Sequence, residues 1–98
     1  MSGSGSIETI EGDGNGTAAL TVGPVRLSLT GDFGTGTATL QAETPSGAYV
    51  AVDGGAFTDV TDTIFDFPEN SRNKLRIVVS GSTNPELVVW IQSTNIIV

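Results

Sequence analysis

The strongest constraint on this chain is a period of two. From Val25 to Thr30, the apolar Val25, Leu27 and Leu29 alternate with Arg26, Ser28 and Thr30. Successive side chains of a strand leave opposite faces of the pleat, so this is the pattern of a strand buried on one face only. Thr37–Glu43 repeats it, with Ala38, Leu40 and Ala42 set against Thr37, Thr39 and Gln41. Leu75, Ile77 and Val79 form a third alternating set, and Leu87–Gln92 is dense in β-formers. No helical apolar spacing is sustained over ten residues. A chain patterned this way has to bury its stripes between sheets.

Turn residues punctuate the pattern. Gly12-Asp13-Gly14-Asn15-Gly16, Gly23-Pro24, Gly31-Asp32-Phe33-Gly34 and Thr44-Pro45-Ser46-Gly47 separate the runs, and Ser80–Glu86 is a polar loop holding Pro85. Asp53-Gly54-Gly55 reads as a hairpin-type signal. Further short runs lie at Thr17–Val22, Ala48–Val52 and Thr63–Phe67, the last placing Phe65 and Phe67 on one face. Phe57 and Val60 fall in an irregular piece. The spacing predicts an all-β fold, a single jelly-roll-like β-sandwich of about eight short antiparallel strands. A similarity between Gly12–Leu20 and Gly31–Leu40 is explained by two alike strand starts and makes no repeat array.

At 98 residues one domain is expected. The Gly-rich segment 1–16 reads as a flexible N-terminal arm, 17–92 as the sandwich, and 93–98 as a hydrophobic C-terminal tail. Met1–Ser6 lacks the basic and apolar regions of a signal peptide. No run of about 18 apolar residues occurs, so no membrane span is expected. Asn15-Gly16-Thr17 matches a glycosylation sequon, which carries little weight without a secretion signal.

Composition excludes chemistry more than it suggests any. There is no His and no Cys, so Ser–His and Cys–His pairs, thiol catalysis and Cys-ligated zinc are out of reach. Eleven acidic against four basic residues give a net charge of −7, which opposes binding to nucleic acid and to anionic lipid. Asp53, Asp59, Asp62 and Asp66 lie close together in sequence, and paired carboxylates could hydrolyse glycosides or hold calcium. Solvated turn residues are the expected reading. Asp13-Gly14-Asn15-Gly16 starts like a calcium loop, but Pro24 stands where the twelfth-position Glu would be. The glycines of Gly31–Gly36 come without the Lys of a phosphate-binding loop. No enzyme activity, metal or cofactor is expected.

Contact features are more informative. Arg72, Lys74 and Arg76 hold three of the four basic residues, with Lys74 and Arg76 on one strand face. They either guard a strand edge or meet an acidic neighbour. Ile7 and Ile10 are the apolar anchors of the N-terminal segment, and Ile96, Ile97 and Val98 form an apolar tail; either end could add a strand to a neighbouring sheet. The phenylalanines are expected in the core, with Tyr49 and Trp90 as exceptions because each has a polar tip.

Taken in order, Val25–Gly34, Gly36–Gln41, Ala48–Val52, Gly54–Thr58, Lys74–Gly81 and Leu87–Ile91 resemble the small β-sandwich virion proteins of tailed bacteriophages. The resemblance covers about two thirds of the chain and leaves out both ends. It implies a structural protein of the virion, assembled in the host cytoplasm, which binds the major capsid protein or other virion proteins. A capsid cement or decoration protein is the first expectation, with trimers at three-fold lattice positions. The alternatives are a head–tail connector, a tail or fibre component, or a carbohydrate-binding module. The resemblance implies no catalytic residue. Arg72, Lys74, Arg76, Ile7, Ile10, Ile96, Ile97 and Val98 are the candidate partner-binding residues.

Overall fold

The computed structural model describes residues 5–94. Among them are nine strands and no helix: β1 (Gly5–Ile10), β2 (Gly14–Asn15), β3 (Ala19–Val22), β4 (Val25–Asp32), β5 (Thr37–Glu43), β6 (Tyr49–Phe57), β7 (Thr61–Phe65), β8 (Arg72–Ser80) and β9 (Glu86–Ser93). Two antiparallel sheets form a β-sandwich. The first runs β1-β9-β4-β7. In the second, β8 pairs with β2 and β3 on one side and with β5 on the other, and β6 closes the edge.

The period of two decides what lies between the sheets. Val25, Leu27 and Leu29 of β4 and Leu87, Val89 and Ile91 of β9 face Leu75, Ile77 and Val79 of β8 and Ala38 and Leu40 of β5, all buried. Burying each of the larger side chains stabilises the fold by roughly 1.5–3 kcal/mol. Phe57, Phe65 and Phe67 close one margin, Phe57 edge-on to Phe65 and Phe65 stacked with Phe67. Thr21 and Ser93 are the buried polar residues, and both are satisfied. The Thr21 hydroxyl donates to the Asn73 carbonyl at 3.2 Å, and the Val22 N–H donates to Ser93 Oγ at 3.0 Å. The second bond joins the two sheets directly, since β3 and β9 belong to different layers.

Two expectations are corrected here. From Gly5 onward, the segment expected as a flexible arm is part of the sandwich. β1 pairs with β9 from Gly5↔Gln92 to Ile10↔Leu87. The stretch between β1 and β3 is tied down as well: the Gly16 N–H donates to the Ile77 carbonyl at 2.6 Å, Glu8 Oε1 accepts from the Thr17 N–H at 2.8 Å, and the Asp13 carboxylate accepts from the Ser82 N–H at 3.0 Å and from its hydroxyl. Backbone pairing and the burial of Ile10 outweigh the flexibility of a Gly-rich composition.

The second correction concerns Asp53-Gly54-Gly55, which makes no hairpin. β6 continues through it, pairing Ala51 with Gln41 and Ala56 with Thr39, so Val52–Gly55 bulges opposite Leu40 alone. Gly55 permits this, because a Cβ there would lie 2.9 Å from the Val52 carbonyl oxygen and 3.1 Å from Leu40 Cβ.

Candidate interaction surfaces

The outward positions of the two sheets differ in chemistry. Cross-strand register on the first sheet aligns Ile7, Trp90, Ser28 and Asp62 in one row, and Gln92, Arg26 and Ile64 in the next. Ile7 is 72% exposed and Ile64 is 62% exposed, and Val60 stands exposed just before β7. Between Ile7 on one edge strand and Ile64 on the other the face is polar, and the charge of Arg26 is neutralised by Asp62 of the edge strand β7. Arg26 Nε donates to Asp62 Oδ1 at 2.9 Å and Nη2 to Oδ2 at 2.6 Å, while the guanidinium sits 5.3 Å from the centroid of a Trp90 ring. The hydrogen bonds from Arg26 hold the Asp62 carboxyl below the ordinary carboxylate range, and its positive charge adds to this.

The second sheet carries the basic cluster. On β8, Leu75, Ile77 and Val79 point inward, which forces Arg72, Lys74 and Arg76 outward. Arg76 Nε donates to Gln41 Oε1 at 3.0 Å, and its guanidinium lies 3.8 Å from the Tyr49 ring centroid. Leu20, paired with Lys74 across β3 and β8, is 66% exposed. An open groove runs between Leu20 and the turn at Glu43-Thr44-Pro45, with Arg72, Asn73 and Lys74 along it.

The candidate residues therefore part company. Arg72, Lys74 and Arg76 share one face, and Ile7 lies on the opposite side of the sandwich. Ile10 is a core residue, 9% exposed, and is corrected from the set of docking residues. Three residues apart on a strand, Ile7 and Ile10 have to face opposite ways. Ile96, Ile97 and Val98 lie outside the described residues.

The acidic residues do not converge. Asp62 is taken by Arg26, Asp59 accepts from the Val60 N–H at 2.7 Å, and Asp13 is pinned to Ser82. Hydrogen bonds from the Ser82 hydroxyl and N–H lower the Asp13 pKa. Among the described residues, no group of three or more His, Cys, Asp or Glu could hold a metal ion.

Sequence reasoning missed Leu20, Arg26 and Ile64. The signal for Ile64 was present, because placing Phe65 and Phe67 inward leaves Ile64 outward. Leu20 carried no comparable signal, since the similarity of Gly12–Leu20 to Gly31–Leu40 equates it with Leu40, which is fully buried. Comparison with protein-family models, with curated proteins and with solved structures finds no match.

Proposed function

We propose that this chain is a structural protein of bacteriophage particles, a capsid cement or decoration protein that works by binding other virion proteins and copies of itself. The observation that carries the reading is the division of charge over its surface: one sheet presents exposed aliphatic residues around a neutralised Arg26–Asp62 pair, and the other presents three cations beside the exposed Leu20. A molecule of net charge −7 meets its own copies with least repulsion where local charge cancels, so the Ile7–Ile64 face is the self-association surface. The molecule extends 40 × 30 × 20 Å, and a broad face of that size can supply the roughly 800 Å² per partner of a standard interface. Trimers around lattice three-folds would multiply modest contacts into high avidity.

Jelly-roll topology belongs to the same proposal. It is supported by the pairs β1 with β9, β2 and β3 with β8, β4 with β7, and β5 with β6, which nest inside one another. Taking β2 and β3 as one interrupted strand, that is the order of a single long hairpin rolled into two sheets, an architecture used by viral capsid proteins.

A carbohydrate-binding module is the second reading, because Tyr49 and Trp90 both lie on outer faces. Against it, an arginine already covers a face of each ring. A connector or tail role would use the same contacts at another place in the particle.

Two measurements test the proposal. Sedimentation of the chain should give an oligomer that Ile64→Lys dissociates. Cryo-electron microscopy of particles carrying the chain should place it at capsid lattice positions. A monomer at all concentrations, or density confined to the tail, overturns the cement reading. Hits on a glycan array that Trp90→Ala abolishes would establish the carbohydrate reading instead.

A further inference from the structure

Among the described residues, the cations of β8 meet no carboxylate. Arg26–Asp62 is the only ion pair among these residues, so Arg72, Lys74 and Arg76 have no carboxylate within 4.0 Å there. They project from alternate residues of one strand, and strand rise separates neighbouring charges by about 6.7 Å. Arg76 is held in place by Tyr49 at its face and Gln41 at Nε, and its two Nη nitrogens have no hydrogen bond among the described residues, so they can grip an anion at little further ordering cost. Leu20 stands exposed beside Lys74, at the mouth of the groove.

We propose that this face binds an extended acidic segment of a partner protein, with carboxylates on alternate residues along Arg72, Lys74 and Arg76. The proposal rests on the reading of the chain as a contact protein and names the chemistry of one partner. An extended peptide repeats its side chains on one face at the same spacing of about 6.7 Å, so three carboxylates meet three cations in register. The partner is not a second copy, because no described strand of this chain carries outward carboxylates on alternate positions. Nucleic acid has a comparable charge spacing. However, a long polyanion would run from the three cations onto a surface of net negative charge, starting with Glu43 in the groove.

The test uses the full chain and a fluorescein-labelled peptide bearing three glutamates at alternate positions with serines between them. Fluorescence anisotropy at low salt should show saturable binding that weakens as salt rises. Replacing the glutamates by glutamines should abolish it. The triple variant Arg72→Gln, Lys74→Gln, Arg76→Gln should weaken it on the order of 30-fold, a few-fold per charge. Glu43→Gln should tighten it about three-fold, an effect that damage to the fold would not produce. No binding at low salt, indifference to the triple variant with the circular dichroism spectrum unchanged, or tighter binding of an oligothymidylate than of the peptide overturns the proposal. Particle occupancy is read separately: peptide binding without occupancy keeps this face and removes the virion role, and occupancy without peptide binding does the reverse.

Discussion

Arg26 grips Asp62 with two parallel hydrogen bonds, of 2.9 and 2.6 Å, across β4 and the edge strand β7 on the outer face of the first sheet. The pair is also a lid, since the same guanidinium covers Trp90, the chain's one tryptophan. Arg26→Gln should therefore shift Trp90 emission to longer wavelength by admitting water to the ring. The melting temperature should move little, because exposed ion pairs contribute weakly. An unchanged emission maximum would show that the arginine does not cover the ring in solution.

Acid should act on the native state through Asp62 and Asp13. Both carboxyls are held below their reference value of 3.8, Asp62 chiefly by hydrogen bonds from Arg26 and Asp13 chiefly by the Ser82 hydroxyl. A depressed carboxyl contributes stability in full above its unfolded value and loses it as pH falls through the folded one. Urea unfolding should show stability falling below about pH 4. Asp13→Asn should be less stable than the parent at pH 7, with the gap closing toward pH 2. A gap that stays constant over that range contradicts the assignment.

Core and face should respond oppositely to truncation. Leu27 is fully buried, and Leu27→Ala should cost about 2–5 kcal/mol of a total near 5–15 kcal/mol. Ile64→Ala, on the outer face, should change the stability of the monomer by less than about 0.5 kcal/mol. Denaturant titration at a concentration low enough to keep the chain monomeric separates the two.

Glycines should divide in the same way. Gly31 has φ +93°, and a Cβ there would be driven into the Glu86 carbonyl oxygen of the neighbouring strand. Gly31→Ala should destabilise by about 1–3 kcal/mol. Gly12 has no heavy atom within 4 Å of its Cβ position and does not need a positive φ, so Gly12→Ala should be neutral or stabilising by up to about 1 kcal/mol. Thermal melts of the two variants decide the matter.

These variants also mark where the sequence was readable. β5 falls on Thr37–Glu43 as the alternation predicts, and β4 extends the Val25–Thr30 run by two residues. β8 begins at Arg72 rather than Leu75, because backbone pairing to β3 carries the strand through polar residues whose side chains need no burial. β1 was hidden for the opposite reason: its glycine and serine have low strand preference, and its partner, β9, lies more than seventy residues away. The Asp53-Gly54-Gly55 signal marks the bulge in β6 and was misleading as a strand end, since pairing resumes at Ala56. Of the candidate surfaces, the alternation on β8 made the cationic row legible. The arginine–aromatic contacts were not, because they depend on which strands become neighbours.

The nested pairing also orders events in time. β5 and β6 can meet by closing a short turn, whereas β1 and β9 join the two ends of the described chain. Docking each inner pair shortens the loop that the next pair has to close, so the entropic barrier to the outermost ladder is lowered by those formed before it. The chain is therefore expected to order from its middle outward and to complete its first sheet only after β9 has left the ribosome. Pulse-labelled hydrogen exchange during refolding should find amides of β5 and β6 protected before those of β1.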